Sequence, residues 1–304
     1  MHEARFIWMD GELVPWTDAK IHVLSHVIHY GSSVFEGTRC YRTPKGSFIF
    51  RLSEHVKRLF FSAKIYRMEI PFSMEEIAAA TGKLIRENGI EECYIRHLVY
   101  RGYAELGVSP LTCPVRVMIA VWPWGAYLGE EGKKHGVDVC VSSWQRLAHD
   151  TMPLLSKAGG HYLNSQLVKL EAINNGYADG IMLTTSGFVC EASGANVFIV
   201  KNGGLITPPS AAGILPGITR HAIIRLGREK GLKVSRQMIP REGLYIADEA
   251  FLCGTATEVT PIRSVDRIPV GDGKPGPVTL MLQDAFEGII TGRDEDTRGW
   301  MEPV

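Results

Sequence analysis

The chain has 304 residues, 45% hydrophobic and 22% charged, which suits a globular protein with two cores rather than one. Its 33 Lys and Arg residues balance its 33 Asp and Glu residues, so no net field draws it toward nucleic acid or an anionic membrane, and small-molecule chemistry is the default. Six cysteines, Cys40, Cys93, Cys113, Cys140, Cys190 and Cys253, are scattered singly, without a C-x-x-C pair or zinc-like spacing. That usage points to a reducing cytoplasm and away from a metal or disulfide framework. No basic region followed by an apolar run opens the sequence, and no stretch has the length to cross a bilayer.

In chain order, Phe48-Ile49-Phe50 reads as a strand, and Ser53 is placed to cap a helix carrying Val56, Leu59, Phe60 and Ala63 on one face. Ser73 and Glu76 have capping-box spacing, Ile77, Leu84 and Ile85 form the stripe of the helix that follows, and Gly89 is placed to end it. Strands are expected over 94–99 and 115–121, the second stopped by Pro123. The polar, glycine-rich segment 125–136 then divides the pattern into a small N-terminal α/β domain (1–124), an interdomain loop (125–136) and a larger C-terminal domain (137–304). Beyond it a strand over 137–142, a helix over 162–174, a strand over 181–184, a hairpin turning at Asn202-Gly203 and a helix opening near Pro216-Gly217 are expected. The mixture gives an α+β class, with no internal repeat.

Four segments could carry chemistry. Ser156-Lys157-Ala158-Gly159-Gly160 sets a lysine before two glycines, where backbone can approach a ligand closely, although a lone lysine is ordinarily solvated. Glu191 lies between an apolar run and the small residues up to Asn196; if buried it needs a cationic partner, and a solvated turn is the alternative. Gly213 to Arg220 reads as a loop feeding a helix N-terminus, where free N–H groups favour a phosphate, or as a plain helix start with a first-turn proline. Gly254-Thr255-Ala256-Thr257-Glu258 is a second hydroxyl-bearing loop, weak evidence by itself. An amine, an acid for a ring nitrogen and a phosphate anchor are what a pyridoxal-phosphate enzyme must provide. The aromatics Tyr30, Phe35, Tyr94, Trp124 and Tyr127 read equally as core or as the wall of a substrate pocket. His22, His26 and His29 have H-x-x-H spacing, but no further ligand pattern stands nearby, so no metal site is expected.

Taken together, the blocks 29–39 (His29 to Arg39), Tyr94-Ile95-Arg96, 123–128, Lys157 to Gly160, Glu191 to Asn196, Leu215 to Arg220 and Gly254 to Pro261 resemble the bacterial branched-chain aminotransferases, nearly from end to end. The resemblance implies a fold-type IV, D-amino acid aminotransferase-like architecture of two α/β domains, with pyridoxal 5′-phosphate in the interdomain cleft. It implies that Lys157 carries the cofactor covalently, Tyr162 bonds its phenolic oxygen and Glu191 pairs with its pyridine nitrogen. Arg58, the backbone of Ile218 and Thr219, and Thr255 would hold the phosphate. Tyr30, Phe35, Gly37, Tyr94, Arg96, Val108, Trp124, Tyr127 and the Ala256 amide would line the substrate site, with Tyr30 and Val108 reaching in from a partner subunit of a homo-oligomer, dimeric at minimum and hexameric as the larger option. The implied reaction is transamination between Leu, Ile or Val and 2-oxoglutarate. A D-amino acid or R-amine aminotransferase and an aminodeoxychorismate lyase share the fold and are the nearest rivals. His97 and His161 depart from the residues more usual beside these motifs, and the absence of C-x-x-C argues against a thiol switch of the kind some relatives carry.

Overall fold

The computed structural model describes residues 3–125 and 128–304. They form two compact units: one comprises Met1–Trp124, Ser156–Gly160 and Ile289–Val304, the other Gly125–Leu155 and His161–Gly288. The short segment holding Lys157 thus groups with the first unit, because its backbone bonds run to a strand and a helix there. Phe35 N donates to the Lys157 carbonyl (2.9 Å), Lys157 N donates to Ser62 Oγ (3.0 Å), and Ala158 bridges Val34.

In the first unit seven strands among the described residues make one antiparallel sheet, ordered Met301–Pro303, Gly46–Phe50, Ser33–Thr43, Cys93–Arg101, Val115–Trp122, Phe6–Met9 and Glu12–Pro15. Side chains alternate across a pleated sheet, so each long strand serves two environments. Val34, Cys40, Ile95, Val99, Ile119 and Val121 point into an apolar core with Val56, Leu59, Ile77 and Leu84 of the helices Leu52–Ile65 and Met74–Asn88. Phe35, Gly37 and Arg39 pair with Leu98, Arg96 and Tyr94, and so occupy the other face.

The Ser73–Glu76 capping box forms as read, and Gly89 ends that helix at φ 64°, in the left-handed region open to glycine. Ser53 is not a cap. The helix begins at Leu52 after Arg51, and the orphan N–H of Ser53 donates to Glu302 Oε1 (2.9 Å) on a strand remote in sequence, an acceptor that local spacing cannot reveal.

The second unit is built on strands Asn196–Lys201, Glu249–Gly254, Glu258–Val265, Val137–Val141, Asp179–Leu183 and Val189–Ala192, paired in that order. Val189–Ala192 pairs back onto Asn196–Lys201 through Glu191 and Asn196, so the six strands close into a ring. Val139, Ile181, Val197, Leu252 and Val265 fill it. The expected hairpin turns at Asn202 (φ 50°) and Gly203 (φ 73°), where both central residues must be left-handed. The helix read near Pro216 spans Ile218–Glu229 with Gly217 as its N-cap, which puts the proline outside the first turn. Segment 125–136 is not wholly loop, since Glu130–His135 is helical.

His97 lies on the core face. The Thr81 hydroxyl donates to the Ile77 carbonyl (2.7 Å), so it accepts from His97 Nε2 (2.9 Å), and Nδ1 is left buried without a partner. Burial holds this imidazole down at about 4. The folded state therefore refuses a proton that the unfolded chain takes up near 6.5, and stability falls as pH drops from that value toward the folded one. The loss reaches about 2 kcal/mol by pH 5. His97→Gln, which keeps a donor for Thr81, is expected to flatten the fall of the urea midpoint between pH 7 and pH 5; a slope equal to the parent's would remove His97 from the account.

Candidate active site

In the first unit, strand Ser33–Thr43 pairs with Gly46–Phe50 only from Cys40 onward, and at Val34 that vacant edge is taken by the Lys157 segment. Lys157 is thereby set beside Phe35, its Nζ 4.8 Å from the ring centroid. The Arg96 guanidinium lies 4.6 Å from the same ring, so Phe35 adjoins both cations. Arg96 Nη2 donates weakly to the Tyr94 hydroxyl (3.4 Å), its Nε is buried without an acceptor, and no carboxylate among the described residues pairs with it. Gly37 is required by close approach, since a Cβ there would fall 1.8 Å from the Tyr94 hydroxyl. Trp124 packs edge-on against Tyr94 at 4.5 Å.

Six of the expected residues, Phe35, Gly37, Tyr94, Arg96, Trp124 and Lys157, are thus gathered on one surface. Tyr30 and Val108 stand apart in outward-facing segments, 48% and 88% exposed. They are linked through His26, whose ring packs on Tyr30 at 4.5 Å and whose Nε2 bonds the Gly107 carbonyl (2.9 Å). Tyr127 lies outside the described residues.

Arg58 stands one helical turn from Ser62, the residue that receives the Lys157 amide. Two of its nitrogens grip Glu36, Nε to Oε1 at 2.5 Å and Nη2 to Oε2 at 2.9 Å, while His55 Nδ1 donates to Oε2 at 2.8 Å. Burial alone would raise the Glu36 carboxyl, but the Arg58 charge and the His55 bond outweigh it and hold it well below the carboxylate range. His55 is itself held down by burial. The structure therefore fixes the Arg58 side chain with a buried acid that the sequence did not single out.

In the second unit Glu191 is buried, and three donors hold its carboxylate: Arg146 Nη2 on Oε1 (3.0 Å), and Asn196 Nδ2 (3.1 Å) with the Leu215 amide (2.9 Å) on Oε2. The cation required by a buried acid is already supplied by Arg146, itself fixed by a bond from Nε to the Gly213 carbonyl (3.2 Å). Sequence reasoning missed Arg146, which sits in irregular chain after Val137–Val141 with no motif around it. Asn196 was quoted as part of a block, but the bond that gives it a role spans 19 residues, from Nδ2 to the Leu215 carbonyl (3.1 Å).

That asparagine fills the space where Gly217 would carry a side chain, its Oδ1 only 2.0 Å from a Cβ built there. Helix Ile218–Glu229 follows with no side chain capping it, so its first N–H groups, Ile218 and Thr219 included, are aligned with the positive end of the helix dipole. Thr255 and Ala256 form the turn between Glu249–Gly254 and Glu258–Val265, next to Asn196, whose register partner is Cys253. Tyr162 opens helix Tyr162–Asn174 directly after His161, a buried imidazole brought down to about 4 by desolvation and then by the Arg146 charge. Among the described residues no three His, Cys, Asp or Glu side chains are grouped to hold a metal. His22, His26 and His29 instead bond the Leu24 amide, Ser32 with Gly107, and the Val23 carbonyl.

The Gly217 and Asn196 geometry gives a direct test. Gly217→Ala should push Asn196 off both Glu191 and Leu215 and cost about 1–3 kcal/mol, the penalty of leaving buried polar groups unmatched. In an Asn196→Ala background the same change should cost little, a coupling above about 1 kcal/mol in a denaturation cycle. Additive effects would show that the close approach is not what requires glycine.

The chain matches the amino-transferase class IV family over residues 33–265. It is 51% identical over 303 residues to the branched-chain-amino-acid aminotransferase of Salmonella typhimurium, covering 99% of this chain and 98% of that one. Among solved structures it superposes on the Escherichia coli branched-chain amino acid aminotransferase with a TM-score of 0.97, at 50% identity and 99% coverage of both chains. On the branched-chain amino acid aminotransferase from Thermobaculum terrenum in its PLP form the TM-score is 0.91, at 37% identity, covering 99% of this chain and 98% of that one. A match across most of the domain, with half of all residues identical to a relative over almost the whole length, places the chain in the class IV aminotransferase family.

Proposed function

We propose that the protein is a branched-chain-amino-acid aminotransferase, exchanging the amino group of L-leucine, L-isoleucine or L-valine with 2-oxoglutarate to give branched 2-oxo acids and L-glutamate, with pyridoxal 5′-phosphate as cofactor. The observation that carries the reading is the convergence, on one face of the first unit, of an amine at Lys157, an apolar and aromatic wall at Phe35, Tyr94 and Trp124, and an Arg96 that no carboxylate among the described residues pairs. The residues suit the cofactor. A buried Glu191 carboxylate held by Arg146, Asn196 and the Leu215 amide can accept from a pyridinium N–H, and the N-terminus of Ile218–Glu229, at the positive end of its dipole, can receive a phosphate.

When bound, the cofactor supplies an aldehyde carbon and a ring that takes up the electrons freed as the substrate loses its α-proton. In the proposed roles Lys157 Nζ would hold that aldehyde, and as a free amine it would take the substrate's α-proton and return it as an acid. Glu191 keeps a proton on the ring nitrogen, Tyr162 bonds the phenolic oxygen, and Arg58, the Ile218 and Thr219 amides and Thr255 take the phosphate. Phe35, Tyr94 and Trp124 pack against a branched aliphatic chain, Gly37 leaves room for the Tyr94 hydroxyl, and the Thr255 and Ala256 amides take the α-carboxylate. Arg96, with Tyr30 reaching in from a second copy, receives the γ-carboxylate of glutamate, so one pocket serves both partners.

A homo-oligomer, at least a dimer, is part of the proposal. Val23, Ile28, Tyr30, Leu106, Val108 and Leu111 are all exposed and belong to segments that His26 ties together, and so apolar a surface suits burial against a second copy. Among the described residues no helix is long and apolar enough to cross a membrane. A cytoplasmic location is proposed on the cysteine usage.

Lys157→Ala is expected to lose turnover with L-leucine, at least about 10⁴-fold, while remaining folded by circular dichroism. Borohydride trapping and peptide mapping on the parent should find the reduced adduct at residue 157; an adduct on another lysine sinks the assignment. L-Leucine, D-alanine and aminodeoxychorismate offered in parallel separate the three chemistries of this fold, and only the first should be consumed. Arg96→Met should raise the KM for 2-oxoglutarate by roughly 10- to 100-fold through loss of a charged partner, with a smaller effect on leucine. Equal effects on both would detach Arg96 from γ-carboxylate recognition.

A further inference from the structure

Trp124 is the last residue of its stretch of the first unit and lies beyond strand Val115–Trp122. A side chain holds it. Arg39 Nη2 donates to the Trp124 carbonyl (3.1 Å) and to Glu92 Oε1 (3.3 Å), while the guanidinium lies over the Tyr41 ring with Cζ 5.1 Å from its centroid. Arg39 is buried, is the register partner of Tyr94, and shares the face of Phe35 and Gly37. The Trp124 ring in turn packs edge-on against Tyr94 at 4.5 Å.

We infer that Arg39 is a positioning residue for the aliphatic-chain wall: it fixes the Trp124 main chain, and through it the angle at which the indole meets Tyr94. The inference rests on the functional reading given above. Its Nη2 is taken by Glu92 and the Trp124 carbonyl and its face lies on Tyr41, which sets it apart from Arg96. Arg96, which no carboxylate among the described residues meets, keeps the part of carboxylate receptor. The two arginines on one sheet face therefore divide the work. Arg39 acts on the branched-chain substrate through an indole, and Arg96 acts on glutamate through charge. Lysine keeps the charge but lacks the planar face that lies on Tyr41, so it is a partial substitute.

The test is carried out on the full-length holoenzyme. Single-turnover absorbance is measured for the half-reactions with L-leucine and with L-glutamate, in the parent, Arg39→Lys and Arg39→Gln. The specificity constant for leucine should fall roughly 10- to 100-fold in Arg39→Gln and less in Arg39→Lys, through a raised Kd, while that for glutamate changes less than about threefold. Independently of any turnover, 5-fluorotryptophan labelling should show the Trp124 signal, assigned by its loss in Trp124→Phe, shifted and broadened in Arg39→Gln with the other tryptophans unmoved. Equal losses for both amino acids, or an unmoved Trp124 signal, overturn the inference. If Arg39→Gln does not fold, Arg39→Lys carries both readouts. A parent inert toward leucine would sink the functional reading, and the fluorine spectrum would still decide whether Arg39 anchors Trp124.

Discussion

Strand Ser33–Thr43 has to satisfy two environments with one backbone, and the arrangement of the first unit follows from that constraint. Even positions at its start face helices and must be apolar or neutralised, which is why Glu36, the exception, is gripped by Arg58 and His55. Odd positions are released from packing duty and can carry Phe35, the space above Gly37, and Arg39. A slip of one residue in register would exchange the two sets, burying Arg39 among aliphatics and exposing Val34. The buried Glu36 network and the fixed composition of the chemical face are consequences of the same pleat.

Glu191 poses the complementary problem in the second unit. A carboxylate taken out of water costs several kcal/mol unless donors replace its hydration. Here Arg146, Asn196 and a main-chain amide do so. A pyridinium proton would then join a preorganised acceptor. The arginine is itself fixed by the Gly213 carbonyl, so the acid and its cation hold one another in place.

Much of this was legible in the residues. The Ser73 box, the Asn202-Gly203 turn and the 162–174 helix depend on neighbours within a few positions, and local chemistry found them. What it could not find lies far apart in sequence. Ser53 looked like a cap because serine usually is one, but its helix start is served by Glu302, 249 residues away. Arg146 reaches Glu191 across the strands between them, and Glu36 is paired from a helix, so neither shows a spacing rule. Lys157 was singled out by its motif, yet its affiliation with strand Ser33–Thr43 depends on a vacant sheet edge that no local pattern encodes.

The ring of strands in the second unit has a consequence for how the chain comes to be folded. Val137–Val141 finds one of its two neighbours only in Glu258–Val265, which emerges more than a hundred residues later. Until then its amides and carbonyls are an open edge, and open edges recruit whatever strand is nearest. The first sheet waits longer still, for Met301–Pro303 to cover Gly46–Phe50. Synthesis therefore runs far ahead of closure, and the interval in which half-built sheets stand uncovered is the stage at which this protein is most exposed to aggregation.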